Sequence, residues 1–447
     1  SRYKYRAEKK DVGRFLPQNQ TVPSDGWMDK VSLIIASGDL PDAIACGTQF
    51  GGSTFSQSQL DQYGAQGIFI PVQDLIREHS IHLRSFLEKR PDIESFVTSL
   101  DGNIYSFFGV NECYHCNHQQ KAWINSTWLK NLNLEMPRTT DDLKNVLMAL
   151  MAFKTQDPNR NGKPDEIPMA ASVDGWRTNI DGFLMCAFIY TDSDQNLVFD
   201  KNKKIQYGPA QNEWREGLKY LRDLYVNGLI APESFTQSTS MLAQINEAGE
   251  EPVIGVGFGG VNFLCSGAAV SDKFKQYDAL PPLTGPNGYA SVASYNNLAP
   301  ADVGIFVITK AAKEPALIMR WLDYWYSEDG RNWLDMGKKG RDWREGDGDT
   351  ELMLFQATKL YEPFAFPNSE LVPTIVALPD KITDFSLIKT SITEYTKQHV
   401  ARFVTGDLDI YNDADWNNYI KGLNDLGLQK YLDICQEGYE AKYGKSR

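Results

Sequence analysis

The sequence predicts an α/β fold that divides into more than one lobe and gains extra helices late in the chain. Three observations support this prediction. Short apolar runs alternate with amphipathic helical segments, as in α/β proteins. A chain of 447 residues can bury more than one hydrophobic core. The C-terminal region follows a helical period almost throughout.

The first elements alternate between helix and strand. An apolar stripe at Val31, Ile34 and Ile35 predicts a helix that stops at Ser37-Gly38. The run AIAC then predicts a short strand leading into the glycine-rich loop CGTQFGG, and loops at strand ends of α/β sheets are where ligands bind. The runs GIFIPV and DGNIYSFFGV predict further strands, the first followed by an amphipathic helix.

Helices dominate the next part of the sequence. The segments STWLKNLNL, TTDDLKNVLMALMAF and NEWREGLKYLRDLYVNGLI are predicted to be helical. Thr139 or Thr140 is the expected N-cap of the second, and Gly228 the expected stop of the third. The run GIFVITKAA (304–312) predicts another strand, and EPALIMRWLDYWYSEDG the helix after it. The tail from DADWNNYI to EAKYG is predicted to be helical throughout.

Composition and charge narrow the function classes. The chain has 42% hydrophobic and 23% charged residues, as ordinary globular proteins do. No apolar run approaches the roughly 18 residues of a membrane span. A formal net charge of -13 disfavours nucleic acid and anionic membranes as partners. The 10 Trp and 21 Tyr either fill large cores or, in part, line a site for flat apolar faces such as those of sugar rings.

The stretch DPNRNGKPDEIP (157–168) has the spacing of a calcium loop. Calcium takes six to eight oxygen ligands, and an EF-hand loop supplies them from positions 1, 3, 5, 7 and 9, with glycine at position 6. Here the sixth position is Gly162, while the twelfth is Pro168 in place of glutamate, so Glu166 is the expected substitute. The predicted donors are Asp157, Asn159, Asn161, the carbonyl of Lys163, Asp165 and Glu166. The alternative is a plain Asx/Gly turn; zinc and magnesium are disfavoured because they prefer other ligands.

We interpret this calcium ion as structural, because its donors leave no open position for a substrate. Cys113 and Cys116, with His115 and His118, form a second group of metal-ligating residue types. All four crowd into six residues without a second ligand pair, so zinc is disfavoured there. A local disulfide or two inert thiols are the preferred interpretations.

Several longer stretches resemble the extracellular solute-binding proteins of ABC importers, family 1, and especially the LipO-like and alginate-binding members. The similarity includes the calcium loop with the helices before it, and LIIASGDLPDAI, YGAQGIFIPVQDLI, DGNIYSF, NECYHC, LPPLTGPNG, VGIFVITK and RWLDYWYSEDGRNWLDMGKKGRDW. It runs from about Trp27 to the C-terminus, whereas SRYKYRAEKKDVGRFLPQNQ does not match well. The first strand is therefore divergent, or residues upstream are missing from this chain.

The resemblance implies a two-lobed periplasmic-binding-protein-like fold of type II, with hinge strands and extra C-terminal helices. Lobe 1 would comprise residues 1–110 and 304–350, and lobe 2 residues 111–303 and 351–447. It also implies that the Asp157 loop is a structural calcium site. The protein is expected to be a monomer that works with ABC permease subunits outside the cytoplasmic membrane, in the periplasm or held by a lipidated cysteine that this sequence does not contain.

Candidate ligand contacts are aromatic and planar polar residues in loops expected to face the cleft, because sugars need both. Trp176 and Trp343 are the leading candidates. The others are Gln49, Phe50, Glu112, Tyr114, His115, Arg177, Phe258, Asn296, Asn297 and Arg341.

The favoured function is the capture of a carbohydrate, in particular an oligosaccharide, for import without any chemical reaction. A carbohydrate-active enzyme is the first alternative. It would need two carboxylates about 5–10 Å apart, which 58 acidic residues leave open. No nucleophile elbow, P-loop or zinc-protease motif is present in the sequence. A peptide or another non-sugar ligand in the same cleft is the second alternative.

Overall fold

The computed structural model describes residues 27–46, 54–99, 101–110, 114–152, 157, 159, 161–262, 272–295, 301–335 and 349–444. The strands within these residues are β1 (Ala43–Ala45), β2 (Phe107–Val110), β3 (Ala122–Asn125), β4 (Ile167–Met169), β5 (Leu197–Phe199), β6 (Ile205–Tyr207), β7 (Ile254–Phe258), β8 (Tyr277–Ala279) and β9 (Ala301–Ile308).

The helices of the first half of the chain are α1 (Trp27–Ser37), α2 (Gln57–Ala65), α3 (Gln73–His79), α4 (His82–Lys89), α5 (Pro91–Val97), α6 (Ser126–Leu132), α7 (Thr140–Ala152), α8 (Ile180–Leu184), α9 (Asn212–Val226) and α10 (Thr239–Glu247). Those of the second half are α11 (Pro315–Asp323), α12 (Glu328–Asp335), α13 (Asp349–Tyr361), α14 (Ile382–Thr405), α15 (Asp413–Asp425) and α16 (Leu428–Tyr443). Among the described helices, none has the length and apolar character needed to cross a bilayer.

Two β-sheets organise the fold. The first has the order β1-β9-β2, with β9 antiparallel to both neighbours. The second has the order β4-β7-β3-β8, in which β4 and β7 are parallel and the other pairs antiparallel. Strands β5 and β6 form a separate hairpin. The predicted α/β class is therefore confirmed, with the helices packed around these sheets.

The buried apolar side chains divide in the same way as the sheets. Two clusters draw on residues 31–108 and 301–322, around the first sheet. Two others draw on residues 122–292 and 354–435, around the second sheet. Strand β9 begins at Ala301, so the predicted lobe boundary at 303/304 falls inside it. The three connections between the two groups pass through residues 111–113, 296–300 and 336–348, outside the described part of the chain.

One edge of the second sheet lies next to Tyr114 and Tyr295, the described residues that flank two of these segments. Strands β4 and β7 end there, β8 ends there beside the start of β3, and the Leu280 N–H donates to the Ala122 carbonyl at 2.8 Å. The Tyr295 N–H donates to the Asn117 carbonyl at 3.1 Å, which brings a further loop to the same edge. We call this the crossing edge and define it by residues 114–121, 170–179, 259–262 and 291–295.

Most predicted helices form, and the differences have local causes. The side chain of Thr139 accepts the Asp142 N–H at 3.0 Å, which makes Thr139 the cap of α7. The run GIFIPV forms only a single bridge, Phe69 to Thr309, in place of a strand. The predicted tail helix is broken between α15 and α16, because Gly427 has a left-handed φ of 96°.

The helix predicted from EPALIMRWLDYWYSEDG is also broken, into α11, a 3-10 turn at Tyr324–Tyr326, and α12. Ser327 is extended and its hydroxyl accepts the Gly330 N–H at 3.0 Å, so it caps a new helix.

Candidate binding site

The crossing edge brings together four of the predicted ligand residues: Tyr114, His115, Trp176 and Arg177. Parallel strands β4 and β7 end here, and ligands of α/β sheets bind outside the carboxyl ends of such strands. Trp176 and Arg177 lie in the loop after β4, while Tyr114 and His115 lie in the 3-10 helix before β3. The four residues therefore come from two loops that meet at one sheet edge.

Trp176 lies on the crossing edge with 38% of its surface accessible. Its ring lies against Gly260, where a Cβ would come within 2.5 Å of the Trp176 Cε3 atom. Its Nε1–H donates to Gln119 Oε1 at 3.2 Å, and its carbonyl accepts the Gly260 N–H at 3.0 Å. One side of the ring is thus supported by backbone and the orientation of the ring is fixed, as an aromatic stacking surface requires.

Arg177 supports this arrangement from behind. Its guanidinium makes two 2.8 Å hydrogen bonds to Asp194, and its Nε–H donates to Gln119 Oε1 at 3.0 Å. It also lies 4.1 Å from the centre of the Tyr295 ring. Burial alone lowers the pKa of Arg177, but the neighbouring Tyr295 and Asp194 outweigh burial and raise the pKa. Since its nitrogens are engaged by protein groups, Arg177 is a positioning residue in this conformation.

Tyr114 and His115 have different environments. The Tyr114 hydroxyl donates to Glu362 Oε1 at 2.5 Å, and its ring lies 5.1 Å from that of Phe355. The side chain of His115 is only 17% exposed, and its Nε2 lies 4.0 Å from Glu351. Burial, and then the charge of Lys121, lower the pKa of His115 to about 4. His115 is therefore neutral at neutral pH, and Tyr114 is the better placed of the two for contact with a ligand.

The prediction that Phe258 contacts a ligand is wrong for this structure. Phe258 is fully buried, and its ring packs against Phe183 with centroids 6.3 Å apart. The physical reason is the position of β7, which lies between β4 and β3 and is buried along all five residues. The remaining predicted contacts lie outside the described residues: Gln49, Phe50, Glu112, Asn296, Asn297, Arg341 and Trp343.

Cys116 is disulfide-bonded, which removes the thiolate that a zinc site would need. The other cysteines within the described residues are free thiols, so its partner lies outside them.

The predicted ion loop folds into a tight turn. The Asp157 carboxylate accepts the N–H groups of Asn161 and Gly162 at 2.9 and 2.7 Å. The Asn161 side-chain oxygen accepts the Lys163 N–H at 2.8 Å, and its amide donates to Asp165 at 3.1 Å. Gly162 has a φ of 79°, a value that favours glycine. These hydrogen bonds are the ones expected of a plain Asx/Gly turn in the first part of the loop.

Glu166 distinguishes the loop from an ordinary turn. The residue is 2% exposed, and both of its carboxylate oxygens are buried without a hydrogen-bond partner. Burial, followed by the charges of Asp157 and Asp165, raises its pKa. A buried carboxylate without a partner costs free energy, and a hard cation among oxygen donors would remove that cost. Across the described part of the chain, however, no three His, Cys, Asp or Glu side chains converge as a ready metal site.

The comparisons with known proteins agree with this architecture. The model of the bacterial extracellular solute-binding protein family matches residues 18–332 of the chain. The chain belongs to this family. The family that the resemblance indicated is therefore confirmed, and so is the two-lobed fold that it implied.

One relative is the fructooligosaccharide ABC transporter substrate-binding protein FusA of Streptococcus pneumoniae serotype 4. It is 32% identical over 467 aligned positions, which cover 93% of this chain and 82% of FusA. The lipoprotein LipO of Bacillus subtilis is 24% identical over 76% of this chain and 64% of its own length.

Solved structures give the same result. FusA in complex with kestose has a TM-score of 0.78 at 28% identity, covering 93% of this chain and 91% of FusA, and an EF-hand mutant of FusA in complex with fructo-nystose matches equally. A solute-binding protein from Bifidobacterium longum infantis has a TM-score of 0.78 at 20% identity, covering 95% and 92% of the two chains, and supports the fold alone.

Proposed function

We propose that this solute-binding protein captures an oligosaccharide between its two lobes and delivers it to the permease of an ABC importer outside the cytoplasmic membrane. The observation that carries the proposal is the half-open Trp176 ring, held in a fixed orientation on the crossing edge by Gly260 and Gln119. A fixed aromatic face suits the C–H surface of a sugar ring. The similarity to FusA, a fructooligosaccharide-binding protein, supports the same ligand class.

The protein acts by binding and carries out no reaction in this proposal. Of the described residues, those from 27 to 110 together with 301–335 form one lobe, and those from 114 to 295 together with 349–444 form the other. Gln49, Phe50, Glu112, Asn296, Asn297, Arg341 and Trp343 stay predicted contacts that complete the site. Affinity then comes from closing the lobes over stacked rings and paired hydroxyl groups, and ligand shifts the population towards the closed state.

Titration calorimetry with kestose and fructo-nystose tests the proposal. The wild type is expected to bind at least one sugar saturably with no product formed, and Trp176→Ala to weaken binding by about 1 kcal/mol or more, since one aromatic contact is lost. Tyr411→Ala is the matched control, because Tyr411 is 59% exposed in the loop between α14 and α15. Release of a cleaved sugar would support the enzyme alternative, and unchanged binding by Trp176→Ala would remove Trp176 from the site.

We also propose that the loop from Asp157 to Glu166 binds a structural calcium ion. The donors are Asp157, Asn159, Asn161, the Lys163 carbonyl, Asp165 and Glu166. The unpartnered Glu166 carboxylate supports the proposal, as does the existence of an EF-hand mutant of FusA. The asparagine amides that now donate to Asp165 would turn to present their oxygens to the ion.

Thermal unfolding with chelator and with added calcium tests this site. Calcium is expected to raise the melting temperature of the wild type, because it binds the folded state. Glu166→Gln is expected to lose most of this response, yet to melt above the wild type in chelator, since a buried unpaired charge is gone. Exposed Asp407→Asn should behave as the wild type does. Equal melting of the wild type with and without calcium would eliminate the site.

A further inference from the structure

An aromatic pair lies beside the crossing edge, away from Trp176: the half-buried Tyr114 and the more exposed Phe355. Phe355 is 48% exposed on α13, and its ring centroid lies 5.1 Å from that of Tyr114. The two rings are inclined by 39° to each other. Leu352, one turn earlier on the same face, is 56% exposed and extends the apolar surface of the pair. Within the described residues, Tyr114, Phe355 and Leu352 therefore form an apolar patch that is partly open.

Packing within the lobe does not explain Phe355. Helix α13 buries its opposite face, through Leu354, Ala357 and Tyr361. The Tyr361 hydroxyl donates to the Leu280 carbonyl at 2.7 Å and accepts the Ala122 N–H at 3.3 Å, which fixes the end of the helix at the crossing edge. Phe355 is thus held firmly at this edge while its own ring remains half open.

Charged groups surround the two rings. The Tyr114 hydroxyl donates a hydrogen bond to Glu362 Oε1, and the Lys359 ammonium lies 3.1 Å from Glu362 Oε2. Lys359 Nζ also lies 5.1 Å from the centre of the Tyr114 ring and 5.8 Å from that of Phe355. The hydrogen bond from Tyr114, and then Lys359, lower the pKa of Glu362, so its carboxylate is a permanent acceptor. Aromatic faces beside an acceptor and a donor are the combination that recognises a sugar ring with its hydroxyl groups.

A short segment of the chain links the pair to the Trp176 surface. Tyr114 starts the 3-10 helix Tyr114–His118, and Gln119, which holds Trp176, follows that helix directly. Five residues at the 3-10 rise place Tyr114 and Gln119 about 10 Å apart. We propose that Tyr114 and Phe355 form a second sugar subsite on the crossing edge, which selects oligosaccharides long enough to reach both aromatic surfaces. The proposal rests on the proposed function and deepens it.

Calorimetry with a short and a long sugar tests the subsite. Phe355→Ala is expected to weaken fructo-nystose binding about fivefold and kestose binding by less than about twofold, because only the longer chain reaches both surfaces. Trp176→Ala should weaken both. Phe355→Leu, which keeps apolar bulk but lacks the ring, should match Phe355→Ala, and Phe355→Tyr should restore binding. Leu387→Ala is the control, since Leu387 is 63% exposed on α14.

The outcomes separate this proposal from the proposed function. Suppose that Phe355→Ala binds fructo-nystose as tightly as the wild type does while Trp176→Ala binds it more weakly. This result would refute the second subsite and leave the proposed function unaffected. If Phe355→Ala weakens the binding of both sugars equally, the two aromatic surfaces act as one subsite. That result would also refute the second subsite. A wild type that binds neither sugar would refute both proposals.

Discussion

At the residue scale, the contact between Gly260 and Trp176 makes a sharp prediction. An alanine Cβ at Gly260 would come within 2.7 Å of three Trp176 ring atoms, so the ring must move and its bond to Gln119 must break. The φ of Gly260 is not in the left-handed region, so alanine adopts this backbone without strain. We therefore expect Gly260→Ala to reduce oligosaccharide affinity by about 1 kcal/mol, the loss also expected of Trp176→Ala.

The matched control for this variant is Gly249→Ala. An alanine Cβ at Gly249 would meet its nearest neighbour at an ordinary 3.7 Å, so affinity should not change. Calorimetry and far-UV circular dichroism on both variants would check the prediction. Wild-type affinity in Gly260→Ala would mean that the position of the Trp176 ring does not matter for binding.

Residue-scale features were visible in the sequence where they depend on local chemistry, although the calcium ion itself stays a prediction. The oxygen spacing of the Asp157 loop was visible in one short stretch, and the structure orders it as a turn around Gly162. The prediction that Phe258 contacts a ligand failed because its burial depends on strands β3 and β4, which are distant in sequence. Gln119 and Gly260 were missed for the same reason, since their importance comes only from contact with Trp176.

At the element scale, Asp323 joins two helices of the first lobe. It lies at the end of α11, is 6% exposed, and accepts the N–H groups of Ile81, His82 and Leu83 at 2.9 to 3.0 Å. These are the free N–H groups at the start of α4, whose own N-cap residue provides no side-chain bond. Asp323→Asn replaces one acceptor oxygen by a donor, and we expect it to cost about 2 kcal/mol of unfolding free energy.

The charge of Asp323 adds a pH dependence. Burial raises the pKa of this carboxyl, but the backbone donors of Leu83, Ile81 and His82 outweigh burial and lower it below the unfolded value. The stabilisation is therefore present above about pH 4 and is lost as the pH falls through the lower folded pKa. Urea unfolding at neutral pH and at about pH 3 should show the difference between wild type and Asp323→Asn shrinking in acid. Asp407→Asn should show no difference at either pH.

Element prediction from the sequence was uneven for a physical reason. The strands of the first sheet were identified from apolar runs such as AIAC and GIFVITKAA. The second sheet was not identified, because its short strands β3, β4, β7 and β8 lie in the part of the sequence where helical periodicity dominates. The breaks at Ser327 and Gly427 were also missed, since helical periodicity continues across both.

At the scale of the whole molecule, the two-lobe plan was accessible from the sequence only through family resemblance. Periodicity alone indicates alternating elements and cannot tell which strands share a sheet. The pairing of β1 and β2 with β9, about 200 residues later than β2, is a long-range contact of that kind. It gives the first lobe a strand from the far side of the second, which is why the chain must cross between the lobes several times.

The separation of the cores predicts a change in overall dimensions on binding. A single compact body of this length would have a radius of gyration of about 22 Å. Separate cores around the two sheets make the ligand-free molecule less compact, so its radius of gyration should exceed this value. Saturating fructo-nystose should reduce the radius as the lobes close, and small-angle scattering measures both states. At the same sugar concentration, the radius of gyration of Trp176→Ala should decrease less than that of the wild type, because the variant binds less sugar. A radius that does not change when the wild type is saturated would mean that the sugar binds without closure, and that the chain connections hold the lobes in one fixed arrangement.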